Sequence, residues 1–296
     1  MPNVAIIGVG EAGGAILAGW GRVRAASVRA YDIKAVDPDA MAEHYGALGV
    51  QACPCASEAV AGADIVLSTV TADQAVAAAR EAAAGLLRGA YWCDCNSCAP
   101  SSKRKAAAVI EAAGGRYVDV AVMSPIHPKR NLTPLLISGP HARDVEPLLQ
   151  ALPMAPRVVE GGVGAASSIK MIRSVMVKGL EALSAECLLA AVQAGVEEEV
   201  LASLERSHPG TDWRAKTAYN MERALTHGAR RAAEMEEVAK TLADLGLPST
   251  MARATVGWQR LLAATGLAAG TDDDVRQIAQ KVLPEVRRVG PNTHQR

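Results

Sequence analysis

The first half of the chain alternates short apolar runs with longer segments of helical periodicity. The apolar runs predict strands at Asn3–Gly8, Val28–Asp32, Asp64–Val70, Ala90–Cys95, Arg116–Val122, Leu135–Ser138 and Arg157–Val159. The segments between them predict helices at Glu11–Gly21, Ala40–Leu48, Ala72–Leu87, Ser101–Ala113 and His141–Ala151. Apolar strands that alternate with helices are typical of an α/β domain with a doubly wound, mainly parallel sheet.

The pattern changes after residue 162, where the stretch Glu160–Gly164 supplies flexible backbone. Beyond it we find no strand, and breakers separate five predicted helices. These are Gly164–Ala194, Val196–Ser207, Asp212–Leu245, Ser249–Thr265 and Asp272–Arg288. The sequence therefore predicts an α/β domain over residues 1–162 and an all-α domain over 163–296. The long first helix is apolar all round, which predicts burial on most sides.

Charge and composition exclude several classes of function. Lys and Arg total 31, Asp and Glu also total 31, and aromatic residues make up 3%. Nucleic-acid binding needs a concentrated basic surface, so we expect no such partner. We interpret the basic run Lys103-Arg104-Lys105 as the solvated face of a helix. No apolar run is long enough for a membrane span and no leader is recognised, so a cytoplasmic protein is expected.

The cysteines Cys93, Cys95 and Cys98 include a CxxC spacing. Such a spacing can bind metal or carry out redox chemistry. No second CxxC or histidine pair lies nearby to complete a zinc site, and cysteine also packs as a small apolar side chain on a strand. We therefore expect no metal site.

A glycine-rich turn follows the first predicted strand. Gly8-Val9-Gly10-Glu11-Ala12-Gly13 has the G-x-G-x-x-G spacing and leads directly into a helix. In this context the glycines allow a tight turn and close approach to a pyrophosphate, which the helix N-terminus attracts. Asp32 ends the second strand, where a carboxylate binds ribose hydroxyls and repels a 2′-phosphate. The motif predicts a dinucleotide site that favours NAD, while Lys34 leaves NADP open.

Polar residues also follow two later strands. Thr69-Val70-Thr71 ends one strand, and Asn96 follows the next. Open α/β sheets bind ligands at the carboxyl ends of their strands, so these residues complete the predicted cofactor site. Thr71 and Asn96 are the candidates near the nicotinamide ribose. Alternatively, Ser97 or Ser101 caps the following helix.

Lys170 and Ser174 lie four residues apart near the start of the long helix, so they share one helical face. A lysine on a mostly buried helix is costly without a partner or a task. Near a hydride acceptor it could exchange a proton with an alcohol. The alternative is a lysine that extends to solvent at a helix end.

Four segments together resemble the β-hydroxyacid dehydrogenases, a family similar in turn to 6-phosphogluconate dehydrogenase. They are Gly8–Gly13, Asp94–Pro100, Asp119–Pro125 and Gly164–Ser174. The stretch His227–Leu247 resembles a poorly characterised branch whose C-terminal domain has no known function. The resemblance covers nearly the whole chain and implies a Rossmann domain followed by a helical domain. It also implies that Lys170 is the catalytic lysine, that Asp32 selects the cofactor, and that Asn96 stands where the family usually has serine.

The sequence departs from the family at the substrate site. Ser174 replaces the family's asparagine, and the motif D-x-P-V-S-G-G reads Asp119-Val-Ala-Val-Met-Ser-Pro125, so Ser124 would take over part of its role. His127 lies in a basic loop that could meet an anionic substrate or simply be solvated. His227 and Arg230 could form a second wall of the substrate pocket or belong to a salt-bridged surface helix.

We predict hydride transfer between NAD and a small, polar or anionic hydroxy acid, with Lys170 as general acid/base. Asn96, Ser124 and Ser174 would orient the substrate, and His127 or Arg230 would bind its anionic group. Two alternatives are an imine reductase and a sensor or scaffold that binds NAD without turnover. The Ala-rich helical domain and the resemblance favour a homodimer or tetramer built through that domain.

Overall fold

The computed structural model of the chain describes residues 1–21, 25–34, 46, 49–268, 270 and 274–289. The chain divides into two compact units, Met1–Met171 and Ile172–Arg296. The predicted domain boundary at residue 162 stays a prediction. The predicted helix Ala40–Leu48, except residue 46, and the first two residues of the predicted helix Asp272–Arg288 lie outside the described residues.

The first unit is built on one sheet with the strand order β3-β2-β1-β4-β5-β6-β7-β8. The strands are β1 Asn3–Ile7, β2 Ser27–Tyr31, β3 Val50–Ala52, β4 Ile65–Ser68, β5 Tyr91–Asp94, β6 Arg116–Val122, β7 Pro134–Ser138 and β8 Ala155–Val158. All neighbours pair in parallel except β6 and β7, which are antiparallel. The predicted doubly wound, mainly parallel sheet is confirmed. Strand β3 was not predicted, because three residues are too few to show a pattern.

Helices cover both faces of this sheet. They are α1 Glu11–Trp20, α2 Ala56–Val60, α3 Ala75–Ala83, α4 Pro100–Ala112 and α5 Ala142–Ala151, with single 3-10 turns at Ala72–Gln74 and Arg130–Leu132. Successive strand residues point to opposite faces. In β1, Val4 and Ile6 pack in the core that includes α1 and α5. Ala5 and Ile7 pack in the core that includes α2, α3 and α4.

The second unit is helical. The helices are α6 Ala165–Ala194, which begins in the first unit, α7 Glu197–Ser207, α8 Trp213–Asp244, α9 Thr250–Ala264 and α10 Val275–Val289. The described residues of this unit contain no strand, which confirms the predicted all-α region. No described helix combines the length and apolar character needed to cross a membrane.

Helix α6 is buried or half-buried at most of its positions, as predicted, but one face is exposed. Its side chains Ala185, Leu188 and Leu189 pack in the core of the second unit. Along another face Met176 is 65% exposed and Leu183 is 50% exposed. The sequence could not show this, because apolar residues occupy both faces of the helix and only one of them meets the core.

Candidate active site

The glycine-rich turn between β1 and α1 has no room for side chains at two positions. Gly8 has φ +92, and a Cβ there would lie 2.8 Å from the backbone oxygen of Thr69. A Cβ on Gly13 would lie 2.2 Å from the oxygen of Gly8. The Thr69 hydroxyl donates to that same Gly8 oxygen at 2.5 Å. The turn is therefore closed against β4 by backbone contacts that only glycine permits.

The second glycine of the motif, Gly10, has space around the position of a side chain. A Cβ on Gly10 would meet no atom of the described residues within 4 Å. Gly10 is the N-cap of α1 and has no side chain with which to cap it. The first N–H groups of a helix need acceptors, and a glycine-lined helix N-terminus suits a phosphate. Glu11 is exposed and Ala12 half-buried on the first turn. The residues present fit the pyrophosphate of a dinucleotide.

Asp32 lies beyond the end of β2, as the sequence predicts. Its carboxylate accepts hydrogen bonds from the backbone N–H of Val9 at 2.7 Å and of Lys34 at 2.8 Å. These contacts tie the residue to the glycine turn and fix a negative charge beside it. An acid in this place suits the ribose hydroxyls of a dinucleotide.

The predicted cofactor residues after β4 differ in their surroundings. Val70 is half-buried, and its Cγ1 atom lies 2.9 Å from the place of a Cβ on Gly8. Thr71 is exposed and hydrogen-bonds to Asp73, which lowers the pKa of that carboxyl. Val70 therefore packs against the turn, whereas Thr71 is exposed at the carboxyl edge of the sheet.

Asn96 follows β5 and is bound to the end of β4, whereas Lys170 is bound to the residue after Asn96. The Asn96 amide nitrogen donates to the Ser68 hydroxyl at 3.0 Å, and its buried Oδ1 atom has no hydrogen-bond partner among the described residues. Lys170 is half-buried, and its ammonium group donates to the Ser97 hydroxyl at 2.6 Å. A lysine, a hydroxyl and an amide thus gather where strands β4 and β5 end.

Ser97 was missed as a site residue by the sequence analysis, which considered it only as a helix cap. Helix α4 instead begins at Pro100 with Ala99 as its N-cap, without a side-chain cap. Neither Ser97 nor Ser101 caps it, so the capping alternative was wrong. The signal for Ser97 was its place directly after Asn96 at a strand end.

A buried carboxylate holds the start of α6, which carries Lys170. Asp119 on β6 accepts hydrogen bonds from the backbone N–H of Gly164 at 3.1 Å and of Ser167 at 3.0 Å. The Ser167 hydroxyl donates to the same carboxylate at 2.5 Å. Ser138 on β7 also donates to Asp119 and accepts from the N–H of Ala166. Carboxylates favour helix N-termini, so these contacts fix the first turn of α6 against the sheet.

Lys103 lies next to this carboxylate and is 0% exposed. The interpretation of Lys103-Arg104-Lys105 as a solvated face was therefore wrong for Lys103, although Arg104 and Lys105 are exposed. Its ammonium group lies 3.0 Å from Asp94 Oδ1 and 3.5 Å from Asp119 Oδ1. Burial alone would lower the pKa of Lys103, but these carboxylates outweigh it and the pKa is raised.

The predicted substrate loop after β6 is partly structural. Ser124 is half-buried and its hydroxyl donates to the Pro125 carbonyl at 3.3 Å. His127 is exposed. Asn131 is buried, and its amide donates to the Pro153 carbonyl at 2.7 Å. The loop is thus anchored at Asn131 and presents His127 to solvent.

In the second unit, Ser174 belongs to a chain of polar contacts. The buried Lys178 donates to the Ser174 hydroxyl at 3.3 Å and pairs with Glu234 at 2.8 Å. Glu234 also pairs with the exposed Arg230 at 3.2 Å. The i,i+4 pair of Arg230 and Glu234 follows from their helical spacing. Lys178 was missed, because nothing in its local sequence distinguishes it from a surface lysine.

Helix α8 also carries a concentration of positive charge. Partial burial and the neighbouring Arg223, Arg230 and Arg231 lower the pKa of His227. Arg231 is buried and pairs with Glu181 at 2.6 Å. Burial raises the pKa of Glu181 and lowers that of Arg231, and their attraction opposes both shifts.

The cysteines of the CxxC region, Cys93, Cys95 and Cys98, are buried and form no disulfide with one another. Burial raises the pKa of Cys93 well above its ordinary value and that of Cys95 to about 12. Thiolates, not thiols, bind metals and attack disulfides, so these two residues act as apolar side chains. Among the described residues, no group of three or more His, Cys, Asp or Glu could hold a metal ion.

Known proteins share both parts of this chain. A family model described as the NAD binding domain of 6-phosphogluconate dehydrogenase matches residues 3–162. A model of a domain of unknown function, DUF1932, matches residues 191–262. An NAD-dependent L-serine dehydrogenase of Pseudomonas aeruginosa is 30% identical over 182 residues, which are 59% of this chain and 60% of that protein.

Two solved structures are similar over nearly the whole chain. A conserved hypothetical protein from Sinorhizobium meliloti 1021 is 37% identical with a TM-score of 0.79, covering 96% of this chain and 97% of that one. The conserved protein MTH1747, of unknown function and structurally similar to 3-hydroxyacid dehydrogenases, is 30% identical with a TM-score of 0.69, covering 90% and 100%. The resemblance found in the sequence is confirmed. The chain belongs to the family defined by the NAD-binding domain of 6-phosphogluconate dehydrogenase, continued here by a helical domain of unknown function.

Proposed function

We propose that this protein is an NAD-dependent dehydrogenase that oxidises the carbinol carbon of a small, polar hydroxy acid, with Lys170 as general acid/base. The observation that carries the proposal is the 2.6 Å hydrogen bond from the Lys170 ammonium to the Ser97 hydroxyl at the end of β5. NAD, when bound, supplies the hydride acceptor. The family relation supports an oxidoreductase, and the acid at position 32 supports NAD.

Different residues are assigned to proton transfer, to orientation of the substrate and to binding of its anionic group. In the oxidative direction the neutral amine of Lys170 takes the proton of the substrate hydroxyl and becomes the ammonium group, and Ser97 keeps the Lys170 side chain directed to the carboxyl edge of the sheet. Asn96 offers a buried amide oxygen without a partner, which suits a donor on the substrate. Ser124 and Ser174 are proposed to orient the substrate, and His127, His227 and Arg230 to attract its anionic group. A lysine in this role is worth about 10²–10⁴ in rate.

The test compares three variants of the full-length protein. Lys170→Met removes the ammonium group, Lys170→Arg keeps its charge but not its readiness to lose a proton, and Lys105→Met changes an exposed lysine of the same unit. NADH formation from NAD is followed with L-serine, other small hydroxy acids and sugar acids, and NADH consumption is followed with a cyclic imine. L-serine is included because a relative carries the name of an L-serine dehydrogenase.

We expect Lys170→Met and Lys170→Arg to lose most of kcat and to keep the Kd for NADH, whereas Lys105→Met keeps both. Retained turnover in Lys170→Met would refute the role of this lysine. Turnover of the imine but of no hydroxy acid would replace the proposed reaction with imine reduction. Cofactor binding without any turnover would support a sensor.

We also propose a homodimer built through α6. Ile169, Ile172, Met176 and Leu183 follow one face of this helix at helical spacing and are 43–65% exposed. Apolar stripes of this kind are typical of helix–helix interfaces. Sedimentation should give a dimer for the unaltered protein and a monomer for Met176→Glu combined with Leu183→Glu. A monomeric unaltered protein would overturn this assignment.

A further inference from the structure

We propose that Lys103 is a positioning residue of the active site, which holds the end of β5 and the first turn of α6 in register. The inference rests on the proposed function, because it assigns Lys103 a role toward Lys170 and Ser97. No part of the predicted mechanism uses Lys103, and it does not touch the reacting groups. It acts through two buried aspartates.

The sheet itself brings the two aspartates together. Asp94 and Asp119 are register partners in the parallel pair of β5 and β6. Both are 0% exposed. Two buried carboxylates on neighbouring strands repel each other and need a counter-charge. Lys103 on α4 supplies it, since its ammonium group lies 3.0 Å from one carboxylate and 3.5 Å from the other.

Lys103 also holds the strand backbone. Its ammonium group donates to the backbone oxygen of Asp94 at 2.5 Å and to that of Val120 at 3.3 Å. Together with the contact to the Asp94 carboxylate, these acceptors use all three of its protons. One side chain thereby fixes α4 against the last residue of β5 and the middle of β6.

Each aspartate in turn fixes one part of the site, either the loop after β5 or the first turn of α6. Asp94 accepts a hydrogen bond from the backbone N–H of Asn96 at 3.0 Å, so it orients the loop that carries Asn96 and Ser97. Its other oxygen accepts from the Tyr117 hydroxyl at 2.6 Å. On the other side, Asp119 binds the first turn of α6, one turn before Lys170. The two ends of the Lys170–Ser97 hydrogen bond are thus held by carboxylates that share one counter-ion.

A purely stabilising role would not need this arrangement. Apolar residues of similar volume often replace buried ionic clusters without loss of stability. What such residues cannot provide is a set of directed hydrogen bonds between three elements. Misplacing catalytic groups by about 1 Å can cost about 10² in rate, so the expected defect is in turnover.

The experiment uses Lys103→Met, the matched control Lys105→Met on the exposed face of the same helix, and the double variant Lys103→Met with Asp119→Asn. Hydrogen exchange is measured by mass spectrometry on the segment from residue 161 to 170. The Kd for NADH, kcat and KM are measured on the same preparations, with kcat expressed per NADH-binding site. The double variant also removes one of the two buried carboxylates that lose their counter-charge in Lys103→Met, so it keeps the proposal testable if Lys103→Met alone does not fold.

We expect faster exchange at Gly164 and Ser167 and about a 100-fold lower kcat in the Lys103 variants. The Kd for NADH stays unchanged, and Lys105→Met matches the unaltered protein. Unchanged exchange and unchanged kcat per binding site in a folded Lys103 variant would overturn the proposal. Faster exchange with unchanged kcat would also overturn it, since Lys103 would then be structural only. Failure of the proposed function is recognised separately, by turnover that survives Lys170→Met.

Discussion

Gly10→Ala gives the sharpest test of the cofactor site, because the added methyl group meets no atom in the part of the chain that the structure describes. Within that part, no atom lies within 4 Å of a Cβ at this position. The backbone of Gly10 has φ −69 and ψ −153, so no positive φ opposes alanine at this position. At an N-cap, alanine in place of glycine costs about 1 kcal/mol or less. Stability should therefore change little.

The affinity for NADH should change much more than the stability does. A pyrophosphate that approaches the N-terminus of α1 must occupy the space into which the methyl group projects. Inserting a methyl group into a close contact costs about 1–3 kcal/mol, which corresponds to about a 5- to 140-fold weaker Kd. In contrast, Gly13→Ala places its methyl group 2.2 Å from the Gly8 oxygen. That variant should lose stability together with binding.

The assay pairs NADH titration, read by nicotinamide fluorescence, with urea unfolding of the same samples. Gly257→Ala serves as the control, because a Cβ on this exposed helical glycine also meets no atom within 4 Å. We expect Gly10→Ala to lose affinity without losing stability and Gly257→Ala to keep both. An unchanged Kd for NADH in Gly10→Ala would refute the assignment of this turn to the pyrophosphate.

Three further outcomes are expected. Asp32→Ser should shift the ratio of NADH to NADPH affinity by about tenfold toward NADPH, and an unchanged ratio would contradict the cofactor choice. Arg231→Met leaves the Glu181 charge buried and should cost about 3–5 kcal/mol in urea unfolding, most of it recovered by Glu181→Met; no recovery would contradict the ion pair. The pKa of His227 is lowered from its ordinary value of 6.5, so the unfolded state takes up the proton first and the free energy of unfolding should fall as the pH drops below 6.5. His227→Gln should flatten this fall, and an equally steep profile would contradict the lowered pKa.

The elements of the first unit could be predicted because the hydrophobic pattern and the residues that break strands and helices indicate the same boundaries there. The apolar run Ala90–Cys95 contains β5, and the predicted helix Ser101–Ala113 corresponds to α4 within one residue at each end. The glycine spacing located the turn at Gly8–Gly13, because the conformation of this turn depends on residues that are neighbours in the chain. Local sequence was sufficient wherever neighbours in the chain determine the structure.

Lys103 could not be predicted in the same way. Its burial depends on the β5–β6 register, which sets Asp94 beside Asp119, and on the face that α4 turns toward the sheet. A basic run such as Lys103-Arg104-Lys105 has the composition of a solvated surface, and of its three residues only Lys103 is buried. The available signal was the position of the two aspartates within apolar strands, Asp94 at the end of β5 and Asp119 in the middle of β6. Buried aspartates require partners.

Lys103 and Lys170 lie near the same strand ends, and the groups that surround each ammonium group suit it to a different role. Lys103 is held by carboxylates and carbonyls, and its raised pKa keeps the proton in place. Such a group can orient its neighbours but is unsuited to exchange a proton during a reaction. Lys170 is half-buried and donates to the neutral hydroxyl of Ser97. If the proposed function holds, proton transfer at a defined position requires both lysines, since Lys103 would hold β5 and α6 in place and Lys170 would exchange the proton with the substrate.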